Sequence, residues 1–205
     1  MNASHRSRWR DVLVLVAGAM LVPRAAEAHL VTTGLGPLYD GISHVFVSPD
    51  DLLPVLTMGL LAGLHGASAA RRILFALTGA WCIGGIAGLI AGGTPIPGGI
   101  AAVSFVVLGS LTAIDRPMPQ LFVTSIAVML GIAHGWLNGS SIADAGRDGL
   151  GLAGIVAATF VLVAFSAALV VAFAPRQAPA RIAVRVAGSW VGAIGLLMIG
   201  WTLRN

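Results

Sequence analysis

Residues 73–114 read ILFALTGAWCIGGIAGLIAGGTPIPGGIAAVSFVVLGSLTAI, a run of 42 residues without Asp, Glu, Lys or Arg. A helix needs about 20 apolar residues to cross the ~30 Å hydrocarbon layer of a membrane. A Gly/Pro cluster lies near the middle of the run, at residues 92–99, and such a cluster is typical of a turn. The run therefore predicts two membrane-spanning helices joined by a tight turn.

Four more charge-free runs divide the rest of the chain. They cover residues 52–70, 117–143, 149–175 and 186–203, and they are 19, 27, 27 and 18 residues long. Each run is close to the length of one membrane span. We therefore predict an all-α polytopic membrane protein, with about six transmembrane helices in one bundle. The predicted helices lie near residues 51–69, 73–91, 98–114, 119–138, 150–174 and 184–203.

The composition excludes several other classes of protein. Hydrophobic residues make up 57% of the chain and charged residues 10%, where a soluble domain averages about 25% charged. This excludes a soluble globular enzyme and a disordered chain. The 12 basic residues are all Arg and mostly stand singly between apolar runs, so no nucleic acid partner is expected. The only cysteine, Cys82, cannot form a disulfide within the chain.

The amino terminus has the pattern of a secretory signal. Three arginines before residue 11 are followed by an apolar core at 12–22 and the small-x-small triplet Ala26-Glu27-Ala28. An apolar core of 11 residues is too short to span a membrane. We predict a signal peptide at 1–28 and a single transmembrane domain at 29–205 that begins with His29. An uncleaved anchor is the alternative.

The arginines also predict an orientation. If His29 is released outside, six loop arginines face the cytoplasm and only Arg147 and Arg204 lie outside, which satisfies the positive-inside rule. The six are Arg71, Arg72, Arg116, Arg176, Arg181 and Arg185. We predict a multi-pass protein of the bacterial inner membrane with its mature N-terminus outside.

Glycines at four-residue spacing predict where helices pack, because close backbone approach drives helix association in lipid. The triplets at 84, 88 and 92 and at 131, 135 and 139 are predicted packing faces. The pairs at 59 and 63 and at 188 and 192 are weaker signals, since 27 glycines produce such pairs by chance.

The first polar cluster precedes the first predicted helix and contains His29, Asp40, His44, Asp50 and Asp51. Asp40 and His44 are four residues apart, so on a helix they share a face, as metal ligands often do. Ser48-Pro49-Asp50-Asp51 is also an ordinary helix start, with Ser48 as N-cap. For Asp51, helix capping and function are equally good interpretations. The α-amine of a mature His29 could add a further metal ligand.

The second cluster lies near the end of the fourth predicted helix. His134 and Asn138 share a face there and are predicted to point into the bundle, at the membrane level where Asp50 and Asp51 begin the first helix. Ionisable groups at membrane depth are costly and indicate function. The alternative for His134 is a packing residue that bonds a neighbouring helix. His65 is interpreted as an interfacial residue.

At these two clusters the chain resembles the HupE/UreJ family of hydrogenase/urease accessory membrane proteins. The likeness rests on Gly34–Gly41, on His44 followed by Asp50-Asp51-Leu52-Leu53, and on Ala133-His134-Gly135. The first family motif has a His where this chain has Asp51. The second motif has a His and a Glu where this chain has Asn138 and Ser141. The resemblance implies a nickel or cobalt permease that supplies metalloenzyme maturation.

These signals together predict a small permease for a divalent transition metal. The site would lie at the outer face between the first and fourth helices, with His44, Asp50 and His134 as core ligands. Asp40, Asp51, Asn138 and His29 would assist. Imidazoles with carboxylates suit Ni²⁺, Co²⁺, Cu²⁺ or Zn²⁺. The alternative is a non-transporting accessory protein that delivers metal to a maturation partner. A pore in so small a bundle could need more than one copy.

No enzyme activity and no firm cofactor are expected. The sequence has neither an H-E-x-x-H motif nor a phosphate-binding loop, so transport would not be driven directly by ATP. Ser140 and Ser141 follow His134, but outside the predicted helix and without a G-x-S-x-G elbow.

Overall fold

The structure, a computed structural model, describes residues 32–92, 99–146 and 149–204. These residues form seven helices and no strand. The helices are α1 (Pro37–Val47), α2 (Pro49–Leu64), α3 (Ala67–Ala91), α4 (Ile100–Ile114), α5 (Gln120–Asp144), α6 (Leu150–Phe173) and α7 (Ala178–Arg204). The predicted signal peptide, its cleavage site and His29 lie outside the described residues.

Four helices are long and apolar enough to cross a membrane. These are α3, α5, α6 and α7, with 24 to 27 residues each. Helices α1 and α2 bend by 76° at Ser48 and together qualify as a fifth span. Helix α4 has only 15 residues, which extend about 22 Å. The all-α polytopic class is thus confirmed. A helix lies near each of the six predicted positions, but only four helices, or five spans with the bent pair, have the length of a membrane span within the described residues.

The first predicted helix ends earlier than its charge-free run. It was expected over 51–69, but α2 ends at Leu64 because Gly66 adopts a backbone φ of 91°, which interrupts the helix. Helix α3 then begins at Ala67 and includes Arg71 and Arg72, which the sequence placed in a loop. Charge marks the end of a membrane span, whereas the backbone break occurs where glycine permits it.

Two other helices are longer than predicted. Helix α5 continues beyond 138 to Asp144, so Ser140 and Ser141 lie within the helix and not outside it. Helix α7 starts at Ala178, six residues before the predicted start at 184, and includes Arg181 and Arg185. Charged and small polar residues are tolerated at these helix ends, and charge-free length therefore underestimates helix length.

Glycines fix how α3 packs against α5. A Cβ at Gly84 or Gly88 would overlap the backbone carbonyl of Ile132 or Trp136 on α5. Conversely, a Cβ at Gly135 would overlap the Trp81 carbonyl on α3. The predicted packing faces are confirmed, except that Gly92 ends α3 with a φ of 65° and has no neighbour within 4 Å of a built Cβ.

The weaker glycine pairs also make close contacts. A Cβ at Gly59 would overlap Ser166 of α6, and one at Gly63 would lie 2.8 Å from the Ala167 carbonyl oxygen. Gly188 of α7 would come within 2.8 Å of the Thr112 Cβ on α4. Helix α2 contacts each of the other six helices and therefore occupies the centre of the bundle. Its first turn, which contains Asp50 and Asp51, is therefore surrounded by neighbouring helices.

Candidate functional site

The centre of the candidate site is the buried carboxylate of Asp51 in the first turn of α2. Its Oδ1 lies 2.9 Å from the Nδ1 of His134, and its Oδ2 accepts a 2.9 Å hydrogen bond from the Asn138 amide. A carboxylate can only accept hydrogen bonds, so the His134 Nδ1 carries the hydrogen. The four-residue spacing of His134 and Asn138 on α5 places both side chains on one carboxylate. The sequence predicted their shared face and its direction into the bundle, but not the contact with Asp51.

His44 reaches the same carboxylate from α1. Its Nε2 lies 3.6 Å from the Asp51 Oδ2, and its ring is buried. The bend at Ser48 and the contact of Gly41 with the Gly151 backbone of α6 hold α1 in this place. We call His44, Asp51, His134 and Asn138 the Asp51 cluster.

Sequence reasoning missed Ser104. Its hydroxyl lies 3.0 Å from the His134 Nε2 and 2.7 Å from the Ile100 carbonyl oxygen, which it can only meet as a donor. Both ring nitrogens of His134 thus have a polar neighbour, and Trp81 packs on the ring with 5.4 Å between centroids. Ser104 lies in a charge-free run with no spacing relation to either polar cluster, so only its polarity within an apolar helix could have drawn attention to it.

The other predicted ligands lie away from this carboxylate. Asp50 is exposed and lines a separate cleft of about 600 Å³ between α2, α4, α5 and α7, together with Trp201 and Thr202. Consecutive helical residues point about 100° apart, so Asp50 and Asp51 cannot share one face. Asp40 accepts hydrogen bonds from the backbone N–H and the hydroxyl of Thr33, both at 2.6 Å.

The capping interpretation of the α2 start is partly confirmed. Ser48 occupies the N-cap position and Pro49 follows it, but the Ser48 side chain makes no capping hydrogen bond. Its hydroxyl instead lies 3.4 Å from the ring nitrogens of His44. At the other end of α2, His65 has its Nδ1 2.9 Å from the Leu61 carbonyl oxygen of its own helix.

The cluster is arranged as a hydrogen-bonded network. Within the described residues, no group of three or more His, Cys, Asp or Glu side chains is arranged to hold a metal ion. Both oxygens of Asp51 instead accept hydrogen bonds, from His134 and Asn138. One possible ligand atom has no hydrogen-bond partner: the side-chain oxygen of Asn138, Oδ1, is buried and accepts no hydrogen bond.

An apolar crevice approaches the cluster from the side. It has a volume of about 450 Å³, lies between α4 and α5, and is lined by carbon-rich side chains and Ser104. Ser104 therefore separates the crevice from the buried His134. The exposed cleft of Asp50 lies on the other side of the α4 start, since Gly99 and Ile100 line both spaces.

The sequence predicts that His134 binds a metal ion, and on that prediction we expect Ser104→Ala to weaken metal binding by about ten-fold, because residues that orient a metal-ligating His typically contribute that much. The substitution removes the contact to the His134 Nε2 and little volume. Ser189→Ala is the matched control, since the Ser189 hydroxyl only bonds the Arg185 carbonyl of its own helix. Titration of purified protein with Ni²⁺ measures the difference. Equal affinity for both variants would contradict a role for Ser104.

The fold and this buried polar network define a multi-pass, all-helical membrane protein with an ionisable cluster inside its helix bundle. The family model described as HupE / UreJ protein matches residues 16–198. The chain belongs to the HupE/UreJ family, which is linked to nickel accessory functions of hydrogenase and urease.

One relative with a low sequence identity matches nearly the whole chain. Protein HupE of Rhizobium leguminosarum bv. viciae is 24% identical over 181 residues, which cover 88% of this chain and 93% of the relative. No solved structure matches the chain. The family assignment agrees with the resemblance found at the two polar clusters.

Proposed function

We propose that this protein is a small permease for a divalent transition metal and that the Asp51 cluster is its cation site. The observation that carries the proposal is a buried carboxylate contacted by two imidazoles and one amide, at the centre of a membrane bundle. Ionisable groups at such positions mark ion pathways in membrane proteins. The metal is the transported substrate, with nickel or cobalt favoured by the family.

The donor set suits such a cation. Two imidazole nitrogens, one carboxylate and the open Asn138 Oδ1 are ligands that divalent first-row metals accept, Cu²⁺ and Zn²⁺ included. The negative charge of Asp51 would compensate part of the cost of bringing a cation into the bundle. Binding would exchange the present hydrogen bonds of Asp51 and His134 for metal coordination, with a rearrangement of those side chains.

The sequence supports a location and an orientation for this permease. A signal peptide and the distribution of arginines favour a bacterial inner membrane and an external mature N-terminus. The Asp51 cluster would then lie toward the outside, and His65 toward the cytoplasm. The exposed carboxylate of Asp50 would lie beside the path of an arriving cation.

We expect His44→Ala and His134→Ala each to lower metal uptake about ten-fold or more, because each removes an imidazole from the cation site. His65→Ala is the matched control, since His65 contacts only its own helix through its Nδ1. Uptake of radioactive nickel and cobalt into cells is compared at equal amounts of folded membrane protein. Unchanged uptake in both site variants would refute the proposed site.

A non-transporting accessory protein is the second proposal. The observation that favours it is the reduced ligand set, since Asp51, Asn138 and Ser141 stand where the family motifs have His, His and Glu. Purified protein in sealed vesicles separates the two functions. Nickel accumulation inside the vesicles supports the permease, whereas binding without accumulation supports delivery to a metalloenzyme maturation partner.

The contacts of Ser104, His134 and Asp51 also have the order of a Ser–His–Asp hydrolase, but we propose that the protein is not an enzyme of that kind. The Ser104 hydroxyl donates to the Ile100 carbonyl at 2.7 Å, and Ser104 lies in a regular helix without a nucleophile elbow. We expect no labelling of Ser104 by a fluorophosphonate probe. Labelling that Ser104→Ala abolishes would overturn this view.

A further inference from the structure

Five arginines surround one short loop at the opposite end of the bundle from the Asp51 cluster. The loop joins α4 to α5 and covers residues 115–119. We call the surrounding surface the arginine patch, and it contains Arg71, Arg72, Arg116, Arg181 and Arg185. All five side chains belong to exposed residues.

Side-chain hydrogen bonds connect neighbouring helices to this loop and to the helix ends beside it. Arg181 of α7 donates to both carboxylate oxygens of Asp115, at 2.6 and 3.1 Å. Arg185 donates to the Ala113 carbonyl oxygen at 3.0 Å. Arg72 of α3 donates to the side-chain oxygen of Gln120 at the start of α5. The starts of α3, α5 and α7 therefore meet at the end of α4.

The charge of the patch is poorly compensated. Asp115 is the one carboxylate that these contacts bring to the five guanidinium groups, and Arg181 already binds it through two hydrogen bonds. The guanidinium groups of Arg71 and Arg116 make no ion pair or hydrogen bond within the described part of the chain. Their exposed guanidinium groups are free to bind an anion, and guanidinium matches phosphate through paired hydrogen bonds.

Exposed apolar side chains adjoin the patch. Ile114 and Leu121 border the loop and are 54% and 80% exposed, and Ile182 next to Arg181 is 57% exposed. These residues belong to or adjoin helices of membrane-spanning length, so their surfaces face lipid tails while the arginines lie at the level of the headgroups. A ligand that fits both surfaces has an anionic head and apolar chains.

We propose that the arginine patch is a binding site for an anionic phospholipid, whose phosphate group contacts Arg71 and Arg116 and whose acyl chains cover Ile114, Leu121 and Ile182. An acidic protein segment would match the charge but would leave the apolar residues uncovered. This site is independent of the proposed metal site, because it uses none of the residues of the Asp51 cluster.

The test compares the wild-type protein with its variants, each in nanodiscs of phosphatidylcholine that contain a trace of labelled phosphatidylglycerol. Lipid enriched at the protein is measured by native mass spectrometry. We expect phosphatidylglycerol to be retained selectively and Arg71→Gln with Arg116→Gln to lower its retention about five-fold for each arginine removed. Arg204→Gln, an exposed arginine at the other end of α7, is the matched control and should change nothing.

Three outcomes would overturn the proposal. They are equal retention of phosphatidylglycerol and phosphatidylcholine by the wild type, equal losses in the patch and control variants, and displacement of the labelled lipid by inorganic phosphate alone. The substituted side chains are exposed, so the variants should fold. Their elution in gel filtration confirms this before lipid retention is compared. Metal uptake is recorded separately, since its failure would concern the other site.

Discussion

Asp51→Asn is expected to lower metal uptake more than ten-fold, whereas the neighbouring Asp50→Asn is expected to leave most of the uptake intact. Both substitutions remove one negative charge and keep the shape of the side chain. Only Asp51 is buried between His134, Asn138 and His44, while Asp50 lies exposed in the adjoining cleft. The contrast therefore tests the position of the charge rather than its presence.

Uptake at several nickel concentrations gives the measurement. Loss of Asp51 should lower uptake at every concentration, because the charge that offsets the buried cation is gone. Loss of Asp50 should act mainly at low nickel, where an exposed carboxylate attracts cations from solution. If Asp50→Asn lowers uptake as much as Asp51→Asn, the site is centred on the wrong carboxylate.

Gly84→Ala is expected to destabilise the folded protein by about 1–3 kcal/mol, the usual cost of overpacking a close contact. A Cβ at Gly84 would overlap the Ile132 backbone carbonyl, which cannot move as a flexible side chain can. The substitution would push α3 away from α5, the helix that holds His134 and Asn138. A loss of metal binding should accompany the loss of stability.

Gly79→Ala is the matched control for Gly84→Ala. Gly79 lies five residues earlier on α3, is exposed, and has nothing within 4 Å of a built Cβ. Thermal unfolding of both variants in the same detergent compares them, and Gly79→Ala should stay within about 1 kcal/mol of the wild type. Equal stability of the two variants would mean that the α3–α5 contact is looser than the structure has it.

Much of the fold could be predicted from the placement of charges and of one Gly/Pro cluster. Five runs without charged residues, the longest divided at residues 92–99, located the six predicted helices, because lipid-exposed helices exclude charge. The helix ends were less predictable. Arg71, Arg181 and Arg185 lie inside helices, since a long side chain near a helix end can reach the polar layer. Helix α1 was not predicted, because its few residues are short of a membrane span.

The site was predictable where it depends on helical spacing. His134 and Asn138 share a face, and the structure brings both to one carboxylate. The choice between Asp50 and Asp51 depends on how α2 is rotated in the bundle, and the close contact of Gly59 with α6 helps to set that rotation. Ser104 reaches His134 only through tertiary packing. Neither the rotation of α2 nor the contact of Ser104 with His134 can be predicted from the spacing of residues in the sequence.

Metal binding to the purified protein is the most direct test of the account. Calorimetric titration with Ni²⁺, Co²⁺, Cu²⁺ and Zn²⁺ would compare the wild type with a variant that carries both His44→Ala and His134→Ala. We expect selective binding of at least one of these metals by the wild type and its loss in the double variant. Absence of binding to the wild type at millimolar metal, or equal binding by both proteins, would contradict a cation site at the Asp51 cluster.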